Sequence, residues 1–302
     1  MDEVKTRGGH MVSARTMAIV VGTIVVLGLL GFLSVRLLAG RGLGLWRIAS
    51  VARASLNSRS TVSQSHGDFT NVFFLHHSVG RNLIDQGDVR NRFTKAGFRF
   101  WDQGYNWEEV RRPDGSHAGY SYVVPDENTD PDGLAEIFAQ RVYGLPLNTF
   151  SGLLQHEVIA FKSCFPVSGI LSDEQLAAHK SDYLSMREVM DQHNDRLFIV
   201  VTPPPLNPAD TDKAAAARAR AFANWLKSDE FLRGHPNIVT FDLFDRLAEG
   251  DAQAADSNML RQDYREGADS HPTRIANETI GPQFVDFVID AIDQYRQTRP
   301  QY

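Results

Sequence analysis

A single cysteine, Cys164, stands in the 302 residues. It excludes an internal disulfide and any zinc cage built from several thiolates. The compartment stays open, because exported proteins can also lack disulfides. Basic clusters are scarce as well. Beyond the first sixty residues Lys and Arg are scattered, and 31 basic against 37 acidic side chains leave a formal net charge of -6. Nucleic-acid affinity rests on clustered cations meeting phosphates, so that class of partner is set aside. No internal repeat is visible. Hydrophobic residues at 42% and charged residues at 23% are ordinary for a globular chain, so a core of useful size can form.

The long apolar run covers residues 17 to 35, MAIVVGTIVVLGLLGFLSV, without one charge. At 1.5 Å per helical residue, this run and its flanks match a hydrocarbon core of roughly 30 Å. The expectation is a retained transmembrane anchor at 16–39, behind a tail at 1–15. A cleaved signal peptide is the rival, with Lys5, Arg7 and Arg15 as its charged region, but the run is long for that and small-residue cleavage signals are poor. Arg36, Arg41, Arg47 and Arg53 follow the segment, so the flanking charges lean towards a cytoplasmic C-terminal domain without deciding it. Residues 36 to 53 also read as a basic helix lying on lipid, and Ser55 to Gly67 as a polar linker, making 40–69 a juxtamembrane segment.

From residue 70 to 298, short apolar runs alternate with helical stretches. The expected strands are 71–76, 98–102, 157–162, 197–202 and 238–241. Most lack period-two alternation, as strands covered on both faces do. Residues 211 to 227 read as a helix behind an Asp210/Thr211 cap, burying Phe222, Trp225 and Leu226. A last helix carries Phe284, Phe287, Val288, Ala291, Ile292 and Tyr295 at spacings of three and four, with Pro282 in its first turn or kinking it. Such alternation implies a parallel sheet in a doubly wound α/β sandwich. The polar stretch 111–155 reads as an inserted cap or substrate-facing loop.

In open parallel sheets ligands bind beyond the carboxyl ends of the strands. The first strand is followed by His76-His77-Ser78-Val79-Gly80, where a serine at a tight turn into a helix gains free N–H groups and positive partial charge beside it. The second is followed by Gly104-Tyr105-Asn106, and the third by Ser163-Cys164-Phe165-Pro166. The final helix is preceded by Gly267-Ala268-Asp269-Ser270-His271-Pro272. Each has a blander reading: Ser78 as a plain helix cap, Cys164 as an inert thiol, Tyr105, Trp107 and Tyr120 as packing. Asp126, Asn128, Asp130 and Asp132 resemble a calcium loop, but Ala139 stands where a bidentate Glu is needed. His76, His77, Asp269 and His271 could be a metal set, which is awkward because adjacent strand residues face opposite ways.

In this order the segments resemble the SGNH/GDSL hydrolases, over about residues 70 to 297. The resemblance implies a three-layer, flavodoxin-like sandwich around about five parallel strands, and a serine hydrolase of carboxylic esters, an esterase or a carbohydrate deacetylase. It implies Ser78 as nucleophile, His271 as general base and Gly104 as a backbone donor to the oxyanion. His76-His77-Ser78 replaces Gly-Asp-Ser. Ser163 or Cys164 stands where the family has Gly-x-Asn-Asp, which makes the Ser163 side chain the candidate third donor. Asp269 is two residues before His271 instead of three, so either it turns back to orient the ring or a backbone carbonyl does so in a Ser–His dyad. Asn106 and His77 complete the substrate-facing candidates. No cofactor and no metal are implied. The family places the domain outside the cytoplasm, against the lean of the flanking charges. The alternative is a membrane-tethered binding protein on the same scaffold without catalysis.

Overall fold

The computed structural model describes residues 49–50, 52–53, 55–56, 67–125 and 130–298. The expected tail, the anchor and most of the juxtamembrane segment lie outside them. Among the described residues no helix is long and apolar enough to cross a membrane. The chain divides into two units, Met1–Ala49 and Ser50–Tyr302, and every element below belongs to the second.

Five short strands, β1 (Asn71–Leu75), β2 (Arg99–Gln103), β3 (Val158–Lys162), β4 (Leu197–Val201) and β5 (Ile238–Phe241), form one sheet in the order β2-β1-β3-β4-β5. Every pairing is parallel. The strands fall within about a residue of the expected segments. NVFFL, VIAFK and LFIVV of β1, β3 and β4 are buried at every position, which is why no alternation shows in them.

Helices cover both faces. One side holds α1 (Ser78–Gln86) and α2 (Val89–Lys95), and the other holds α3 (Pro131–Phe138), α4 (Thr149–Leu153), α5 (Asp173–Met190), α6 (Lys213–Leu226) and α7 (Asp229–Leu232). The first side is completed by α8 (Leu243–Leu247) and α9 (Arg274–Thr298). Phe74, Leu83, Phe93, Phe241, Phe284 and Val288 make the core on the first side. Phe73, Phe161, Tyr183, Met186, Phe222 and Trp225 make it on the second.

The stretch 111–155 does more than overhang a site. Tyr120, Tyr122, Val124, Leu134, Ile137 and Phe150 are buried in the second core, so it supplies part of a structural layer. Two helix boundaries differ from expectation. Asp212 caps α6, its side chain accepting from the amides of Ala214 and Ala215, and so outranks Asp210 and Thr211 by position. α9 starts at Arg274, which leaves Pro282 inside it and one intrahelical hydrogen bond unmade.

The strand order locates the site. After β1 the chain adds β2 on one side and then returns past β1 to add β3 on the other. That reversal opens a crevice at the carboxyl ends of β1 and β3, where the segments beginning at His76 and Ser163 emerge.

Candidate active site

The backbone stays extended through His77, with φ -123° and ψ -155°, and turns into α1 at Ser78. The His77 side chain makes no cap bond to the helix. The first amides of α1 thus have no carbonyl within the helix to bond, and they carry the positive end of its dipole. Ser78 is half-buried there.

His271 meets it from the far end of the chain. Its Nε2 is 2.7 Å from Ser78 Oγ and its Nδ1 is 2.7 Å from Asp269 Oδ1. The same oxygen accepts the backbone N–H of His271 at 3.0 Å. This turn, closed by an Asp side chain on the amide two residues on, is how a carboxylate at that short spacing reaches the ring, so a side chain and not a backbone carbonyl faces Nδ1. The network assigns the tautomer: the Ser78 hydroxyl donates to Nε2 and Nδ1–H donates to Asp269. The ring hydrogen bond first, and the backbone N–H second, hold the Asp269 carboxyl below its ordinary range. Phe165 packs edge-on against the imidazole, centroids 5.1 Å apart at 77°.

Asn207 and Asp210, to which the sequence reading gave no part in the site, hold this loop. Buried Ser270 donates to Asp210 Oδ2 at 2.6 Å and accepts the Asn207 amide at 2.9 Å. The Asn207 side chain donates to the carbonyls of Gly267 and Asp269. The only advance signal was their place just past β4 and Pro203-Pro204-Pro205, on the same sheet rim.

The other expected residues are placed as follows. Gly104 lies against the Arg81–Glu108 ion pair, and a Cβ there would come within 2.6 Å of both Arg81 and Glu108. Asn106 is bonded through both ends of its amide to the Val124 backbone, at 2.7 and 2.8 Å, and so holds a loop. Ser163 is buried with its hydroxyl 3.0 Å from that of Tyr183, a residue of the second core, so the hydroxyl is engaged there. His77 stacks on Tyr105 at 4.3 Å, and Tyr105 on Trp107 at 4.5 Å. Burial first, then the charges of Lys162, His76 and Arg81, pushes the His77 ring down to about 4, so it is neutral near pH 7. Cys164 is partly exposed. Lys162, absent from the expected set, is fully buried, donates to the Ser163 carbonyl at 2.8 Å, and is lowered to about 8 by burial.

The metal set does not assemble. His76 turns its ring nitrogens to the His77 carbonyl and Asp102, while those of His271 face Ser78 and Asp269. Of the calcium-like loop, residues 126–129 lie outside the described residues, and no group of metal-ligating side chains occurs among the described ones.

No protein-family model matches the chain, and no curated protein matches it by sequence. Several solved structures are similar to it in three dimensions. A protein of Bacteroides fragilis assigned as an acylhydrolase is 13% identical, covering 74% of this chain and 88% of its own, at a TM-score of 0.42. A GDSL-like lipase of Bacteroides thetaiotaomicron is 11% identical over 81% and 98%, at 0.45. A Streptococcus pneumonia protein assigned as a platelet activating factor is 12% identical over 85% and 98%, at 0.44. The chain is similar in fold to these structures.

Proposed function

We propose that the chain is a serine hydrolase of carboxylic esters, with Ser78 as nucleophile, His271 as general base and Asp269 as the group that orients the base. The observation that supports this above all others is the pair of 2.7 Å contacts that tie Ser78 Oγ to His271 and His271 to Asp269 across 193 residues of sequence.

In this reading Ser78 Oγ attacks the ester carbonyl while its proton passes to His271 Nε2. The imidazolium is steadied by Asp269. The oxyanion of the tetrahedral intermediate takes hydrogen bonds from the first amides of α1 and from the Gly104 amide. His271 then returns the proton to the departing alcohol, and water repeats the sequence on the acyl-serine. Trp107, 65% exposed and stacked flat on Tyr105 at 7°, offers a surface for a ring-bearing substrate, which favours a carbohydrate ester over a simple alkyl one. Residues 16–39 are the proposed membrane anchor.

The experiment is Ser78→Ala, read by p-nitrophenyl acetate hydrolysis and fluorophosphonate labelling of the full chain. Wild type is expected to be labelled at Ser78. The variant is expected to lose labelling and about 10³-fold or more in kcat. Undiminished labelling of the variant removes Ser78 from the chemistry, and a wild type that neither labels nor hydrolyses favours the binding-protein alternative.

A further inference from the structure

The catalytic reading makes no use of His76, yet this side chain is completely buried beneath the start of α1. Its Nδ1 is 2.8 Å from the His77 carbonyl oxygen and its Nε2 is 3.0 Å from Asp102 Oδ2. Neither acceptor has a hydrogen to give. One is a carbonyl; the other is a carboxylate whose second oxygen pairs with Arg90. Arg90 is itself fixed by the carbonyls of Phe100 and Arg112, at 2.9 and 2.6 Å. The Nδ1 that faces the carbonyl therefore carries a hydrogen and donates it. Gly80 leaves the ring its space: a Cβ there would stand 2.4 Å from His76 Cβ and 2.8 Å from Cγ.

The His77 carbonyl also accepts the Arg81 amide at 2.9 Å. It shares one planar peptide with the Ser78 N–H, and that peptide is trans. In a trans peptide the C=O and the N–H point to opposite sides. Pinning the carbonyl onto His76 therefore turns the Ser78 amide hydrogen away from the buried ring. A buried donor on the carbonyl also polarises the amide and makes its N–H a stronger donor.

We propose that His76 is a positioning residue which, braced by Asp102 and Arg90, aims and polarises the His77–Ser78 peptide so that the Ser78 amide acts as an oxyanion donor. This rests on Ser78 being the nucleophile. It gives a reason for His-His-Ser: the first histidine holds the peptide that the serine uses.

The test compares full-length wild type, His76→Asn, Gly80→Ala and the double variant. Each is measured for p-nitrophenyl acetate kinetics, fluorophosphonate labelling rate and thermal unfolding. Losing a whole oxyanion donor costs 10²–10³ in kcat, and a misaimed one is expected to cost roughly 10- to 100-fold. His76→Asn should show this in kcat with KM within about twofold of wild type. Gly80→Ala, by displacing the ring, should do likewise, and the double variant should lose less than the product of the two. Nitrogen NMR of labelled histidine should find a hydrogen on His76 Nδ1, the nitrogen facing the His77 carbonyl. A merely structural histidine would lower the melting temperature and leave kcat of the folded protein unchanged. Folded His76→Asn and Gly80→Ala that label at the wild-type rate overturn the inference while the nucleophile assignment stands. A wild type unlabelled at Ser78 removes that assignment, and a His76 ring with no hydrogen on Nδ1 removes the brace.

Discussion

Asp269 reaches the His271 ring from two residues away because one carboxylate oxygen accepts both the backbone N–H and the ring N–H of that histidine. The same geometry makes it replaceable only at a cost. In Asp269→Asn the amide oxygen can keep the backbone bond, but no negative charge remains to match a forming imidazolium, and an amide NH2 turned to the ring selects the wrong tautomer. The side chain is 63% exposed, so water partly compensates. We expect kcat to fall by about 10²-fold, less than for a buried orienting carboxylate, with KM and the melting temperature nearly unchanged. Equal kcat in the two proteins would show that the ring needs no partner at Nδ1. Because the native carboxyl is held below its ordinary range, its contribution is complete above about pH 4 and fades only as pH falls through the native value.

At the scale of elements, the site depends on how α1 and α9 cross, since Ser78 opens one and His271 precedes the other. Their crossing is backbone against backbone. A Cβ on Gly281 would lie 2.5 Å from Gly87 Cα, and one on Gly87 would lie 2.7 Å from the Asn277 carbonyl. Asn277, buried in α9, donates to Gln86 at the end of α1 and to the carbonyl of Pro272 beside His271. Gly281→Ala gains about 1 kcal/mol of helix propensity, yet it must push two backbones apart, an overpacking cost of about 1–3 kcal/mol. The expected result is a protein roughly 1 kcal/mol less stable, with a slower Ser78–His271 reaction because the two helix starts no longer meet squarely. Denaturation and acetate-ester kinetics read the two effects separately, and a variant more stable than wild type would contradict the close crossing. None of this was visible in the sequence, where Gly87 and Gly281 are isolated glycines nearly two hundred residues apart. The strands were visible because burial on both faces leaves dense apolar runs. α5 was not, because across DEQLAAHKSDYLSMREVM it buries only Tyr183, Met186 and Met190. Ser78 and His271 could be singled out because helix starts and strand ends carry recognisable local patterns. Asn207 could not, and Asp210 only as a helix-cap candidate, because their roles at the site exist only once the segment past β4 meets the last loop.

Across the whole molecule, stability should respond to pH through histidines that the fold keeps neutral. His156 is fully buried between Phe73 and Trp101. Its Nδ1 is 3.1 Å from Asn71 Oδ1 and its Nε2 faces the Tyr122 hydroxyl at 3.4 Å. It thereby joins β1 to the stretch 111–155. Burial first, then the charges of Arg196 and Arg99, lowers it to about 3, as burial lowers His77 to about 4. His179 and His193 are lowered in the same direction, again chiefly by burial. Unfolded, each returns to roughly 6.5. Below that value the unfolded chain takes up protons that the native one refuses, so stability is complete above about pH 6.5 and is lost as pH falls towards 4. One such group contributes a limiting slope of about 1.4 kcal/mol per pH unit, so His156 and His77 together cost on the order of 3 kcal/mol between pH 6.5 and pH 5. Urea unfolding at pH 7, 6 and 5 should show the midpoint falling steadily, and His156→Gln, less stable at pH 7, should have the shallower dependence. An unchanged slope in that variant would mean that His156 does not stay neutral in the folded protein, and that the join between β1 and the 111–155 layer tolerates a buried charge.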